Sequence, residues 1–244
     1  MACTVLVLVR TESERLKKKA LLKINQKPLI KILLDRIKND NRNLIVCTTD
    51  KPSDDELAKY ITDNNYKVFR GDEHNILFRI YSCAKMFDLK SAVIVEGDDL
   101  FCEPDLINST CDELSIGKNQ LIIWENLPFG VTPTGINLKK LETFVENNDG
   151  MKIETGWIKF LIDSKKFQIK KMKTENSVLH RPEIRLSIDY LEDFTLARKI
   201  LEVSEKINLE KIIQLFDINP EWLKINHNEK KKYEENFEKQ TTGE

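Results

Sequence analysis

Residues 4–48 read TVLVLVRTESERLKKKALLKINQKPLIKILLDRIKNDNRNLIVCT, and the fold turns on how this stretch divides. Thr4–Val9 and Leu44–Thr48 are short runs rich in Val, Ile and Leu, bounded by polar segments, as expected of strands buried on both faces. Between them Pro28–Asn39 carries apolar residues at helical spacing, so the stretch is a β-α-β unit. The alternation continues through DDELAKYITDNN (helix), YKVFRG (strand), NILFRIYSCAKMF (helix), SAVIVEGD (strand) and EPDLINSTCDEL (helix). Repeated alternation of this kind predicts an α/β fold, a doubly wound, mostly parallel, Rossmann-like sheet with helices on both faces.

After Leu121–Trp124 the rhythm changes. ENLPFGVTPTGINLKKLETFVENND concentrates Pro and Gly, which predicts a small mid-chain β/loop excursion over about residues 125–180 rather than another crossover. WIKFLID reads as a helix or a strand and FQIKKMK as an edge strand. RLSIDYLEDFTLARKILEVSEK reads as a strand, an acidic turn and an amphipathic helix, with Asp189 as a candidate cap. Residues 1–227 are thus expected to form one domain, and the almost wholly polar 228–244 a fraying tail.

Charge and cysteine usage exclude several classes. A net charge of −1 provides no global field to recruit nucleic acid or an anionic membrane, so any anion site must be local. The five cysteines, Cys3, Cys47, Cys83, Cys102 and Cys111, form no CxxC pair and have no histidine at zinc spacing; reduced thiols and a cytoplasmic location are expected. The opening MACTVLVLVRTE is apolar for too few residues to span a membrane and lacks a basic leader, so it is expected to be the first strand rather than a signal peptide.

The local anion site suggests itself at once. Arg10, Arg15, Lys17, Lys18 and Lys19 follow the first strand directly, and ligands of open α/β sheets bind beyond the carboxyl ends of strands. Neither GxxxxGK[ST] nor GxGxxG is present, but guanidinium forks, a lysine and a hydroxyl such as Ser13 also make a phosphate cradle. On these residues alone a solvated basic turn is the other reading. Asp98 ends an apolar strand just after Gly97, and Asp189 ends RLSI. From separate strand ends these two carboxylates can share a metal, with Asp99 or Glu96 as further ligands, although a turn or a helix cap explains each of them too.

The spacing R-x-x-S-x-R-L-x-x-K-x-L-x-x-I-x-x-K-P, formed by Arg10, Ser13, Arg15, Leu16, Lys19, Leu21, Ile24, Lys27 and Pro28, resembles the N-terminal signature of the sugar-acid cytidylyltransferases. These are the acylneuraminate and 3-deoxy-octulosonate enzymes and their spore-coat polysaccharide relatives. VFRGDEHNILFRIYSCAK (68–85), VIVEGDDLFCEPDLI (93–107) and IRLSIDYLEDFTLAR (184–198) are similar to further family segments, in the same order. The N-terminal signature departs from the family's at Val9 and in lacking a Pro-Gly before the lysine; the departures at Leu100, at Phe78 beside Arg79 and at Tyr190-Leu191 bear more on the acceptor than on the nucleotide.

The resemblance implies a nucleotide-diphospho-sugar transferase-like fold and a cytoplasmic enzyme that joins CTP to a small acidic acceptor, with Mg2+ as cofactor and pyrophosphate as the second product. It implies catalytic roles for Arg10, Arg15, Lys19 and Asp98, and a metal site at Asp98 and Asp189. Leu8, Val9, Ser13, Arg70, Gly71, Arg79 and Gly97 would complete the nucleotide site. Gly130, Glu154, Trp157, Lys159, His180 and Arg181 would meet the acceptor. A homodimer is implied as well; nucleic acid and membrane are not expected partners. Three other readings stay open at this level: a phosphate or phosphonate acceptor, a nucleotide-sugar glycosyltransferase, and an inactive nucleotide-binding scaffold.

Overall fold

A computed structural model describes residues 3–13, 15–148, 150–229 and 232. Strand β1 (Cys3–Leu8) leads into the basic loop and a two-residue hairpin, β2 (Lys23–Ile24) and β3 (Lys27–Pro28), before α1 (Leu29–Ile37). Then follow β4 (Arg42–Thr49), α2 (Asp55–Asp63), β5 (Lys67–Gly71), α3 (Ile76–Met86), β6 (Ser91–Glu96) and α4 (Pro104–Ile116). β7 (Leu121–Trp124) comes next, and the excursion supplies β8 (Thr134–Asn137), α5 (Leu138–Glu146), α6 (Trp157–Asp163) and β9 (Ile169–Met172). Helices α7 (Leu191–Val203) and α8 (Leu209–Ile218) follow, and after them a 3-10 helix over Pro220–Lys224.

Seven strands form one sheet in the order β5-β4-β1-β6-β8-β7-β9. β1 pairs in parallel with β4 and β6, and β4 in parallel with β5. β8 runs antiparallel to β6 and β7, so the mid-chain excursion widens the main sheet instead of standing apart from it.

The two-residue side-chain period of a strand separates two cores. Val5 and Val7 of β1 pack with α1, α4, α7 and α8 on one face, while Leu6 and Leu8 pack with α3, α5 and α6 on the other. Each helix carries a matching stripe; Ile30, Leu33, Leu34 and Ile37 of α1 are fully buried. Truncating Leu33 to alanine removes about 2–5 kcal/mol by lost transfer and cavity formation. Helix α3 starts where the Asn75 side chain accepts from Phe78 N at 2.9 Å. Helix α4 starts at Pro104 and ends where Gly117 takes a left-handed φ of 75°.

Several expectations are corrected. WIKFLID is helical. RLSI is not a strand: among the described residues it makes only an isolated bridge, Phe129 to Arg185, and its other backbone bonds run to single loop residues. Asp189 does not cap α7. Tyr190 occupies the cap position, and Asp193 reaches back to accept from Tyr190 N at 3.0 Å. Cys3 and Cys111 form a disulfide that ties the start of β1 to α4, while Cys47, Cys83 and Cys102 are buried free thiols. A separation of 108 residues hides that proximity from any spacing rule. Most of the 228–244 tail lies outside the described residues. Among the described residues no helix is long and apolar enough to cross a membrane.

Candidate active site

The carboxyl ends of β1 and β6 lie side by side because Gly97 N donates to Leu8 O at 2.7 Å. A Cβ at Gly97 would sit 2.6 Å from Val9 Cβ, so only glycine permits this approach. The chain then turns, and Asp98 is presented above the edge of the sheet. Its carbonyl accepts from Ile188 N at 3.0 Å, which docks the 184–189 segment against the end of β6. That segment is held on its other side by Phe129 N to Ile184 O (2.9 Å) and Leu186 N to Phe129 O (2.7 Å). Gly130 makes the crossing possible: its φ is +93° and a Cβ would lie 2.2 Å from Ser187 N.

These backbone contacts bring Asp98 and Asp189 to one point, occupied by the Lys19 ammonium. Lys19 Nζ lies 2.6 Å from Asp98 Oδ2 and 3.0 Å from Asp189 Oδ1, and donates to Ile188 O at 3.0 Å. Arg15 Nη2 approaches the same Asp189 oxygen at 2.7 Å. The other oxygen accepts from Arg185 Nη2 at 2.7 Å. Arg185 is fixed in turn by Asp193 (Nε to Oδ1, 3.0 Å), and Asn226 Nδ2 donates to Asp193 Oδ1 at 2.8 Å. A buried polar network satisfied at every level fixes one geometry for the charge it supports.

The basic loop is anchored from beneath. Lys18 N donates to Thr11 O at 3.1 Å, with Lys18 in the left-handed region at φ 52°. Asp54, 1% exposed, accepts from Thr11 N at 2.7 Å, from Thr48 Oγ1 at 2.8 Å, from Thr49 N at 3.1 Å, and from the Thr11 and Thr49 hydroxyls. Burial alone would raise its carboxyl, but these donors outweigh burial and hold it below the usual value. Ser13 Oγ accepts from Leu16 N at 3.4 Å inside the loop. Arg10 leaves the end of β1 and pairs with Glu154 at 3.1 Å; His74 Nδ1 lies 2.9 Å from the other Glu154 oxygen.

Electrostatics separate the acidic groups. Burial works against charge on Asp189, yet Lys19, Arg15 and Arg185 outweigh it and keep the carboxyl well below the ordinary range. Lys19 loses charge preference to burial and regains more from Asp98 and Asp189, so its pKa is raised. Glu96 is pushed up to about 7, first by burial and then by Asp98, against a hydrogen bond from Trp157 Nε1 at 2.7 Å. Asp99 is raised by burial and by the neighbouring Asp98 and Glu96 charges. Lys19 and Arg15 on one side and Asp98 and Asp189 on the other thus neutralise one another.

The basic loop and the acidic groups Glu96, Asp98, Asp99 and Asp189 line one cavity of about 1680 Å3, with Asp54, Arg185, Asp193 and Asn226 behind its wall. Arg10, Ser13, Arg15 and Lys19 are on one wall with Asp98 and Asp189; Leu8, Val9 and Gly97 are at the strand ends; Arg79 lies deeper. Gly130, Glu154, Trp157 and Lys159 are on the wall built by the excursion, where Lys159 pairs with Asp163 at 2.6 Å. Four expected site residues are elsewhere. Arg70 turns toward α2, donating to Thr49 O (3.0 Å) and Lys51 O (2.7 Å) and pairing with Asp55 (2.7 Å). Gly71 is consumed in pairing with Thr49 on β4 and does not line the cavity. His180 Nε2 is engaged by Thr174 O at 3.0 Å, and Arg181 pairs with Glu183 and Asp217 beside α8. Asp54, His74 and Asn226 were not legible as site residues, because they act on Thr11, Glu154 and Asp193, 43, 80 and 33 residues away; Arg185 and Asp193 were not, because their segment reads as a strand and a helix start.

The arrangement can hold a polyanion against Arg10, Arg15 and Lys19 while two carboxylates face the same space. Residues 4–231 match the family described as cytidylyltransferase. The chain belongs to the cytidylyltransferase family. It is a nucleotidyltransferase by that membership, and the cavity at the β1 and β6 ends is the candidate active site of this cytidylyltransferase. It is similar to the spore coat polysaccharide biosynthesis protein SpsF of Bacillus subtilis, 23% identical over 238 residues, covering 88% of this chain and 94% of the relative. Among solved structures it resembles a cytidylyltransferase from Leptospira borgpetersenii serovar Hardjo-bovis (TM-score 0.80, 19% identity, 91% of this chain and 97% of the other). It also resembles a CMP:2-keto-3-deoxy-manno-octonic acid synthetase solved with CTP (TM-score 0.64, 12% identity, 83% and 99%). At these identities the structural likenesses establish the nucleotide-diphospho-sugar transferase-like fold.

Proposed function

We propose that this cytidylyltransferase is magnesium-dependent and transfers CMP from CTP to a hydroxyl of an acidic, nonulosonate-like sugar. The acceptor oxygen forms a bond to the α-phosphorus; the bond from that phosphorus to the bridging oxygen of the β-phosphate breaks, and pyrophosphate leaves with the electron pair as the hydroxyl proton is released. The observation that carries this reading is the position of Lys19 Nζ, between Asp98 Oδ2 and Asp189 Oδ1 at 2.6 and 3.0 Å. Two carboxylates converging on a cation position suit a hard divalent ion completed by phosphate oxygens and water. Asp98 and Asp189 would hold it, and it would neutralise charge on the triphosphate.

The chain's own groups do the rest. Lys19, 2.6 Å from Asp98, and Arg15, 2.7 Å from Asp189, exchange these partners for phosphate oxygens. Arg10 exchanges Glu154 for phosphate in the same way. Asp54 keeps the loop that carries them from shifting, so little reorganisation accompanies the growth of charge. The similar structure of a CMP:2-keto-3-deoxy-manno-octonic acid synthetase complexed with CTP supports the nucleotide and the acceptor class.

Pyrophosphate release with magnesium, each nucleoside triphosphate in turn and a panel of acidic sugars and phosphonates tests the reading. Release is expected with CTP and an acidic sugar, and is expected to vanish in Asp98→Asn. Turnover only of a phosphonate would reject the sugar, and sugar transfer without pyrophosphate release would reject the reaction.

A further inference from the structure

Arg79 stands apart from every other cation at this cavity. It lies on the buried face of α3, one turn after Ile76 and one turn before Cys83, and is only 4% exposed. Its Nη1 donates to Asp72 O at 2.8 Å, while Nε and Nη2 meet no acceptor and no carboxylate pairs with the group among the described residues. Arg10, Arg15 and Lys19 all have carboxylate partners in the same cavity. Glu96 and Asp54 act on it only at a distance, and a buried guanidinium whose Nε meets no acceptor is disfavoured unless something supplies one. Burial already lowers its pKa, without bringing arginine near neutrality at physiological pH.

The surroundings say which anion. Arg79 shares its face of the sheet with Ile76, Ile94, Ile153 and Trp157, all in the core behind Leu8. The carboxylates at Asp98 and Asp189 are flanked instead by Leu100 and Ile188, which pack in the opposite core. Arg15 and Lys19 therefore sit on the other side of the strand ends from Arg79, while Arg10, whose charge acts on Arg79, reaches the excursion at Glu154. Ile76 N to Ile153 O (2.9 Å) and Ile153 N to His74 O (2.8 Å) strap the excursion onto the start of α3, which makes Arg79 the floor of the lobe the excursion encloses. Aliphatic and indole walls around one guanidinium suit a carbon skeleton bearing a single carboxylate better than a hydrated triphosphate.

We propose that Arg79 is the subsite for the acceptor's carboxylate, its free Nε–Nη2 edge taking both carboxylate oxygens side by side. This rests on the acidic-acceptor reading given above and names the residue that enforces it. The planar fork explains why arginine and not lysine stands here, since a lysine would meet one oxygen at a time.

The test follows the Nε–H of Arg79 by NMR in the full chain, its resonance assigned by its absence in Arg79→Lys. The probes are 2-keto-3-deoxy-manno-octonic acid and N-acetylneuraminic acid, each as free acid and methyl ester, with Mg·CTP alone and inorganic phosphate alone as controls. At least one free acid is expected to shift the resonance, its ester and both controls are not. Arg79→Lys is expected to weaken binding of that acid by about 10–100-fold with the CTP dissociation constant within twofold, which also shows that the variant folds. A shift with Mg·CTP or phosphate but with neither acid would assign Arg79 to the nucleotide and overturn the proposal, and no shift with any probe would make it structural. Failure of the wild type to bind CTP by calorimetry would count against the proposed reaction, separately from the response to the acids.

Discussion

Replacing Asp54 tests the idea that the phosphate loop is pinned from below. The carboxylate is 1% exposed and serves two backbone amides, Thr11 N and Thr49 N, together with the hydroxyls of Thr11, Thr48 and Thr49. In Asp54→Ala the hydroxyls can turn to other acceptors, as Thr11 Oγ1 already reaches Ser53 O at 2.8 Å, but the two amides cannot. At about 1–3 kcal/mol for each buried donor left unsatisfied, the loss is about 4 kcal/mol. Asp54→Asn keeps one acceptor oxygen and turns an amide against the remaining donors, so about half that loss is expected. The folded pKa of Asp54 is depressed, so its contribution is present above the unfolded value of 3.8 and is lost as pH falls through the folded value. Urea unfolding at pH 7 is expected to show the loss, with the difference between wild type and Asp54→Asn shrinking in strong acid. CTP affinity should fall as well, by about tenfold, because Arg10 and Ser13 share the loosened loop. An alanine variant within about 1 kcal/mol of wild type would refute the reasoning.

Glu96→Gln is expected to flatten the pH dependence of stability in the magnesium-free protein. The folded pKa of about 7 exceeds the ordinary 4.5, so the wild-type fold loses stability as pH rises between those values, by about 3 kcal/mol, and the variant does not; parallel curves would contradict the burial argument. Gly130→Ala forces a Cβ to 2.2 Å from Ser187 N at φ +93°, and a loss of about 3 kcal/mol with misplacement of Asp189 is expected from thermal unfolding and CTP calorimetry. Arg185→Gln removes the cation behind Asp189 and the charged partner of Asp193; magnesium dependence of CTP binding should shift to higher concentration, and an unchanged titration would argue against this supporting role.

The parallel half of the fold was legible because its strands and helices obey different periods, two and about three and a half residues, separated by turns. The excursion was less so. β8 turns back into the main sheet through antiparallel pairs with β6 and β7, and Pro and Gly content reveals a loop without saying where its strands pair. RLSI has the composition of a strand yet hydrogen-bonds to Phe129 and Asp98 in turn, a tertiary demand that no local pattern announces. In the site, the basic loop and Asp98 were readable from their place at strand ends. The pairing of Glu96 with Trp157, 61 residues away, was not. For Arg79 a signal was present in the sequence: a charge lies in the apolar stripe of α3 between Ile76 and Cys83, and a cation on a buried face needs an explanation. Arg70 points the other way: β5 alternation turns it toward α2, where the Thr49 and Lys51 carbonyls and Asp55 engage it.

The most direct measurement follows the α-phosphorus. With CTP labelled at that position, magnesium and the acidic sugar selected by pyrophosphate release, the label is expected to appear covalently attached to the sugar as its CMP conjugate, in step with pyrophosphate, and to stay in CTP when Asp98→Asn replaces the wild type. Label recovered as free CMP, or transfer that continues undiminished in Asp98→Asn, would contradict the account of Asp98, Asp189 and Lys19 as the centre of a cytidylyl transfer.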